Sequence, residues 1–158
     1  MNERILQNIT RQSKALQTLF TLQQEEFAHL KELNPEAVSR TELSIQELMR
    51  QIAAERSEIS LLIKKCDPSA KRVRDLLPSF TQEQRDEVEK SFALLEKVEQ
   101  QCAKQAEKNH RLALGLFNQS QSYMSFLQKQ LIPKKETYSK NGRFQDADTG
   151  PRVLRGRF

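Results

Sequence analysis

The sequence predicts an all-α chain: an elongated antiparallel three-helix coiled-coil bundle with a long third helix and a flexible carboxyl-terminal tail. Three observations predict it. Apolar side chains recur at alternating steps of three and four over long stretches, the spacing that keeps one stripe of a helix turned toward a neighbouring helix. The breakers are few, four Gly and five Pro in 158 residues, and Asn34-Pro35, Asp67-Pro68, Pro78 and Pro133 fall between or after those stretches. The Gly-rich turns and Val/Ile runs that a parallel sheet with crossovers requires are missing.

The first helix is expected over about residues 3–33, with a seam of Leu6, Ile9, Ser13, Leu16, Phe20, Gln23, Phe27 and Leu30. Asn34-Pro35 interrupts it and starts the next one, since Asn caps a helix well and Pro is tolerated at the first helical position. The second helix, about 36–66, repeats the pattern through Val38, Thr41, Ile45, Leu48, Ile52, Glu55, Ile59, Leu62 and Cys66. Asp67-Pro68 ends it, because Pro disfavours a helical residue before it. A short helical piece fits between Ala70 and Leu77. Thr81 and Gln84 have the spacing of a capping box for the third helix, about 80–131. Its stripe runs Val88, Ser91, Leu95, Val98, Cys102, Gln105, Asn109, Leu112, Leu116, Gln119, Tyr123 and Phe126. No repeat of 20–50 residues accompanies the heptads, which argues against a solenoid. Two regions result: a helical bundle over 1–132 and a basic tail over 133–158.

Composition excludes several classes. No apolar stretch approaches the roughly 20 residues of a membrane span. The amino end, MNERILQNITRQSK, has no continuous apolar core or small-residue cleavage site, so no secretory signal is expected. Two Cys make no disulfide framework, and a reducing cytoplasm is the expected compartment. The net charge is +5. The tail from Pro133 carries seven cationic and three anionic side chains, a net of +4, which leaves the body at +1. A nearly balanced body argues against nucleic-acid binding, which calls for a basic stripe on one face.

Chemistry is equally sparse. His29 and His110 have no partner at metal or base spacing, and His-Glu-x-x-His, Gly-rich phosphate loops and Cys-x-x-Cys pairs are absent. Carboxylates alternate with Lys along the helices, as in EVEKSFALLEKVEQ, and read as a solvated ion-pair face. Cys66 and Cys102 fall on the seam and are expected to act as small apolar residues. No enzyme, metal or cofactor is expected.

Helix lengths point to a site. About 30 residues in each of the first two helices reach roughly 45 Å, whereas about 52 in the third reach roughly 78 Å. In an up-down-up hairpin the third helix is covered to about Asn109, and RLALGLFNQSQSYMSFLQKQL projects beyond. That projection carries Leu112, Leu114, Leu116, Phe117, Tyr123, Met124, Phe126, Leu127 and Leu131. Exposed apolar surface of this kind marks an interaction site, and Met with aromatic side chains suits varied partners. A bend at Gly115 that folds the segment back, or a homodimer through it, would cover the same surface. In the tail, Tyr138 precedes the turn pair Asn141-Gly142, and a lone aromatic in a polar stretch offers a docking side chain.

In this layout the chain resembles the flagellar export chaperones of the FlgN type. The likeness covers nearly the full length: a Gln/Glu-rich helical body, a long last helix and a short polar tail. It is carried by Asn109 with the apolar helix that follows, then Pro133 and the Tyr138-x-x-x-Gly142 element. Ser139 departs from the pattern, since a Gly often follows that Tyr in similar chaperones. The resemblance implies a cytoplasmic chaperone of the flagellar type III secretion pathway. Such a chaperone binds the carboxyl-terminal segments of hook-associated (hook–filament junction) proteins, keeps them unpolymerised and brings them to the membrane export gate. On matching positions, Leu112, Leu116, Phe117, Tyr123, Met124, Phe126, Leu127 and Leu131 would hold the client, and Tyr138 and Gly142 would dock at the gate. Two other classes compete: a structural coiled-coil protein of a secretion apparatus that only self-associates, and a nucleic-acid-associated protein using its basic tail. Phosphate binding weakens steeply with salt and apolar client binding does not, which separates the last from the first two.

Overall fold

The computed structural model describes residues 2–131 with their side chains, and the backbone alone at 136–138 and 144–146. Helix α1 spans Asn2–Lys31, α2 Pro35–Cys66, α3 Val73–Leu76 and α4 Gln82–Leu131, with a 3-10 turn at Leu77–Ser79 between α3 and α4. Two three-residue strands follow, β1 (Glu136–Tyr138) and β2 (Phe144–Asp146), paired antiparallel with Tyr138 opposite Phe144. The chain divides into two compact units, Met1–Gly115 and Leu116–Phe158.

The helix ends follow from their sequence. The Asn34 side chain accepts from the Ala37 amide at 3.1 Å, which closes one free donor of α2, and Pro35 takes the first helical position. Thr81 and Gln84 form the expected capping box, with the reciprocal bonds at 3.4 and 3.3 Å. Helix α1 closes in a Schellman motif: Asn34 N donates to His29 O and Leu33 N to Leu30 O. Leu33 there has φ 54°, the left-handed conformation usually filled by Gly. Between α2 and α3, Asp67 accepts from the Ser69 amide and hydroxyl, and Asp75 accepts from the Lys71 and Arg72 amides, so each carboxylate organises a turn. These bonds hold both carboxyls below their ordinary range; the Ser69 hydroxyl is the main cause at Asp67 and the Lys71 amide at Asp75.

Side chains set the direction of the helices in the first unit. Arg11 of α1 bonds Glu55 and Glu58 of α2. Cys102 Sγ donates to the Leu16 carbonyl, and one heptad further on Asn109 Nδ2 donates to the Gln23 carbonyl. The offset between α1 and α4 is 86 residues at both places, so these two helices run parallel in a fixed heptad register. Arg56 of α2 pairs with Glu99 of α4. Two apolar clusters fill the interior. One gathers Ile5, Ile9, Leu62, Ile63, Val73, Phe80 and Val88; the other gathers Ala15, Leu16, Leu19, Ile52, Leu95, Val98 and Cys102. Burial raises the Cys102 thiol above its ordinary range, with the Glu99 charge adding to the effect.

Beside the first cluster lies a buried polar layer. Asn8, fully buried, donates from Nδ2 to the Glu55 carbonyl and carboxylate and to Glu58, and its Oδ1 accepts from Gln12. The Arg11 guanidinium closes the layer, and its hydrogen bond to Glu55 helps to hold the guanidinium proton. A layer satisfied in this way fixes register at little gain in stability.

The all-helical expectation holds over residues 2–131, with details displaced. On α1, Leu6, Phe20, Phe27 and Leu30 are only half-buried, while Ile5, Asn8, Gln12, Ala15 and Leu19 are buried in their place. The reason is that α1 faces both α2 and α4, so it buries two adjacent stripes. Cys66, expected on the seam, is exposed as the last residue of α2. In the tail, Thr137, Tyr138 and Phe144, residues of high strand propensity, lie in the β1–β2 pair.

Candidate functional site

The site begins where burial ends. Asn109 is the last buried residue of α4 among the described residues. Its Nδ2 donates to the Gln23 carbonyl at 2.7 Å and to Glu26 Oε2 at 2.6 Å, and its Oδ1 accepts from Gln105 at 2.9 Å. Every polar atom of this side chain is occupied.

Helix α4 runs on through Gly115 to Leu131 with no kink residue but that glycine. A Cβ placed on Gly115 would meet nothing within 4 Å. The three-four spacing runs on in the sequence through Leu112, Leu116, Tyr123 and Leu127. Six of the eleven exposed large apolar side chains among the described residues lie between 114 and 131, so exposure is concentrated here: Leu114, Phe117, Tyr123, Met124, Phe126 and Leu131. Phe117 is 59% exposed, Tyr123 63% and Phe126 56%. Leu112, Leu116 and Leu127 are half-buried. From Leu112 to Leu131 the sole charged side chain is Lys129, and Asn, Gln and Ser separate the apolar residues. Such a surface gains by burying apolar area and has little Coulomb energy to lose to salt.

The second predicted element falls partly outside the described residues. Tyr138 lies in β1, where only backbone is described, opposite Phe144 of β2. Gly142 lies outside the described residues. Asn141-Gly142 stands between the two strands in the sequence, outside the described residues.

Among the described residues, no three His, Cys, Asp or Glu side chains gather where a metal ion would bind. His29 faces only Glu32, 3.7 Å away, and His110 is exposed. Among the described residues, the groups with a displaced pKa, namely Arg11, Asp67, Asp75 and Cys102, lie in the first unit. No helix among the described residues is long and apolar enough to cross a membrane.

Two features escaped the sequence. Of the layer of Asn8, Gln12, Glu55 and Glu58, only Glu55 lies on a seam expected from the sequence. The ion-pair face expected in EVEKSFALLEKVEQ is also different: of that segment only Glu99 pairs, with Arg56 of α2, and Lys90 and Lys97 have no ion pair among the described residues. Their heptad spacing was the signal available.

No curated protein and no solved structure matches this chain. The family model described as FlgN protein matches residues 1–145, nearly the whole length, and covers both the bundle and the exposed stretch of α4. The chain therefore belongs to the FlgN family, the chaperones of flagellum biogenesis and type III secretion.

Proposed function

We propose that this chain binds the carboxyl-terminal region of flagellar hook-associated (hook–filament junction) proteins, keeps them from assembling early in the cytoplasm, and delivers them to the type III export gate. Leu112, Leu116, Phe117, Tyr123, Met124, Phe126, Leu127 and Leu131 hold the client. Tyr138 and Gly142 dock at the gate. The first unit serves as the scaffold, read as an antiparallel three-helix coiled coil.

One observation carries the reading: a 20-residue helical stretch, Leu112–Leu131, that is rich in exposed aromatic and aliphatic side chains and nearly free of charge. An amphipathic client helix laid along it would bury its own apolar face, the mode in which i, i+3, i+4 and i+7 anchors meet a stripe. A client helix covered in this way is not free to pair with another subunit. Polar residues interleaved in the row moderate the affinity, which suits a chaperone that must release its cargo.

Calorimetry with a carboxyl-terminal fragment of a hook-associated subunit, at low and high salt, tests this. One-to-one binding that tolerates salt and is lost on truncation after Asn109 supports it. Absence of binding together with a stable self-associated species on sizing would replace it by the structural coiled coil.

A further inference from the structure

A second surface lies on α4, within the first unit. Lys90, Lys97, Lys104 and Arg111 are spaced by seven residues each, and Lys108 lies beside the last two. A row at this spacing drifts by only about 20° per heptad around an α-helix, so the four stay on one face over about 31 Å. All five side chains are exposed, and the residues that α4 buries, Val88, Leu95, Val98, Cys102 and Asn109, lie on other sectors of the helix.

Among the described residues, the carboxylates beside the row on α4 make no ion pair with its lysines, and Asp86, one turn before Lys90, accepts from Gln82. Glu99 pairs with Arg56 of α2, while Glu89 and Glu96 line a cleft with Arg74. Glu107 alone reaches the row, at 2.8 Å from Arg111. Lys108 sits 4.5 Å over the Phe27 ring, which fixes it beside the row. Lys90, Lys97 and Lys104 have no ion pair among the described residues. Between the cations lie Ala93, Gln101 and Leu94, the last 44% exposed. Elsewhere in the first unit Arg11, Arg40, Arg50 and Arg56 each meet a carboxylate, while Arg4, Lys14, Lys64 and Lys65 have no ion pair among the described residues, so what sets the α4 cations apart is their seven-residue spacing on one face.

We infer that this row is a docking face for an acidic α-helix of a partner protein, one that carries Asp or Glu once per heptad. Two helices that run side by side repeat their contacts every seven residues, so a carboxylate at each repeat meets each cation in turn. Ala93 and Leu94 give such a helix a small apolar contact, which a polyanion does not require. Opposite charges arranged in this way give partner choice and a fast encounter rather than tight binding. The face uses residues other than those assigned to the client row.

Fluorescence anisotropy on the full chain tests the inference with four probes: a synthetic helix with Glu at every seventh position, a shuffled peptide of the same composition, a single-stranded oligonucleotide, and vesicles of phosphatidylserine and phosphatidylcholine. The heptad helix should bind best, and binding should weaken as salt rises. Lys97→Glu with Lys104→Glu should weaken it at least about tenfold, with circular dichroism and capture of the hook-associated fragment unchanged. Lys97→Arg with Lys104→Arg should preserve it. No binding of the heptad helix, equal binding of the shuffled peptide, tighter binding of oligonucleotide or vesicles, or indifference to the charge reversal would each overturn it.

Discussion

Asn109 reaches across from α4 to the carbonyl of Gln23 on α1, 2.7 Å away, one heptad beyond the point where Cys102 reaches Leu16. The bond is buried, and it locks the register of two parallel helices at the place where α4 leaves the core. Removing one partner of a buried bond leaves the others unsatisfied. Asn109→Ala strands Glu26 and Gln105 and should cost about 1–3 kcal/mol. Thermal unfolding measures this; an unchanged melting temperature would show that the clasp contributes nothing.

Leu33 sits at φ 54° in the Schellman turn that ends α1, with its side chain 68% exposed. A left-handed residue with a Cβ is strained by about 1–2 kcal/mol, and an exposed Leu there has little packing to lose. Leu33→Gly should therefore stabilise the chain by about 1 kcal/mol, a gain offset in part by the added freedom of Gly when unfolded. The melting temperature should rise by about 2–4 °C. A fall would show that Leu33 packs more than its exposure implies.

Asp75 accepts two backbone amides, from Lys71 and Arg72, at 2.9 Å each, and its carboxyl is held below the ordinary range by these bonds, that of Lys71 first. The folded state thus binds the proton less readily than the unfolded chain. Its contribution is fully present above the ordinary carboxyl pKa of about 4 and is lost as pH falls from there through the lower folded value. Asp75→Asn should melt below the parent at neutral pH and approach it as the solution is acidified. Parallel melting curves at every pH would remove the capping role.

How much of this was legible can be judged from particular residues. Asn34 with Pro35, Thr81 with Gln84, and Pro133 are local signals whose chemistry acts within four residues, and the helix boundaries they imply agree with α2 and α4. The seams of α2 and α4 were also readable from their spacing. On α1 the reading was partial: Ile9, Ser13, Leu16 and Gln23 of the expected seam are buried, but a helix that faces two neighbours buries a broader band, and Asn8 and Gln12 within it are polar. Their burial is a property of Glu55 and Glu58, 47 to 50 residues away, and no local pattern announces it. The exposed apolar residues toward the end of α4 were legible in their positions, since helix length alone implied that they would be uncovered. The lysine row was legible in its spacing and was misread, because ion pairing depends on where the carboxylates of other helices fall.

The aromatic side chains of the client row bear the next prediction. Phe117 and Phe126 are more than half exposed, so truncating them removes little from the folded chain. Phe117→Ala with Phe126→Ala should leave helicity intact and abolish capture of the hook-associated fragment, since aromatic anchors carry much of such an interface. Circular dichroism and calorimetry on the same sample read both parts. Unchanged capture would sink the client row.

A Tyr138 variant tests whether holding a client and delivering it are separate steps. It lies in β1, opposite Phe144 and beyond the end of α4, and it is not one of the residues assigned to the client row. If its task is docking at the gate, Tyr138→Ala should bind the hook-associated fragment with unchanged affinity and yet fail in export. A secretion assay beside a binding assay distinguishes the two steps, because loss of fold or of client binding would lower both readouts together. Thr137→Pro gives an independent check: Pro removes a backbone donor inside a strand and should unpair β1 from β2 while Tyr138 is kept. Export lost in both variants with binding preserved assigns docking to Tyr138 as held by the strand pair. Export lost in Tyr138→Ala alone assigns it to the side chain without the strands, and normal export in Tyr138→Ala removes the docking role.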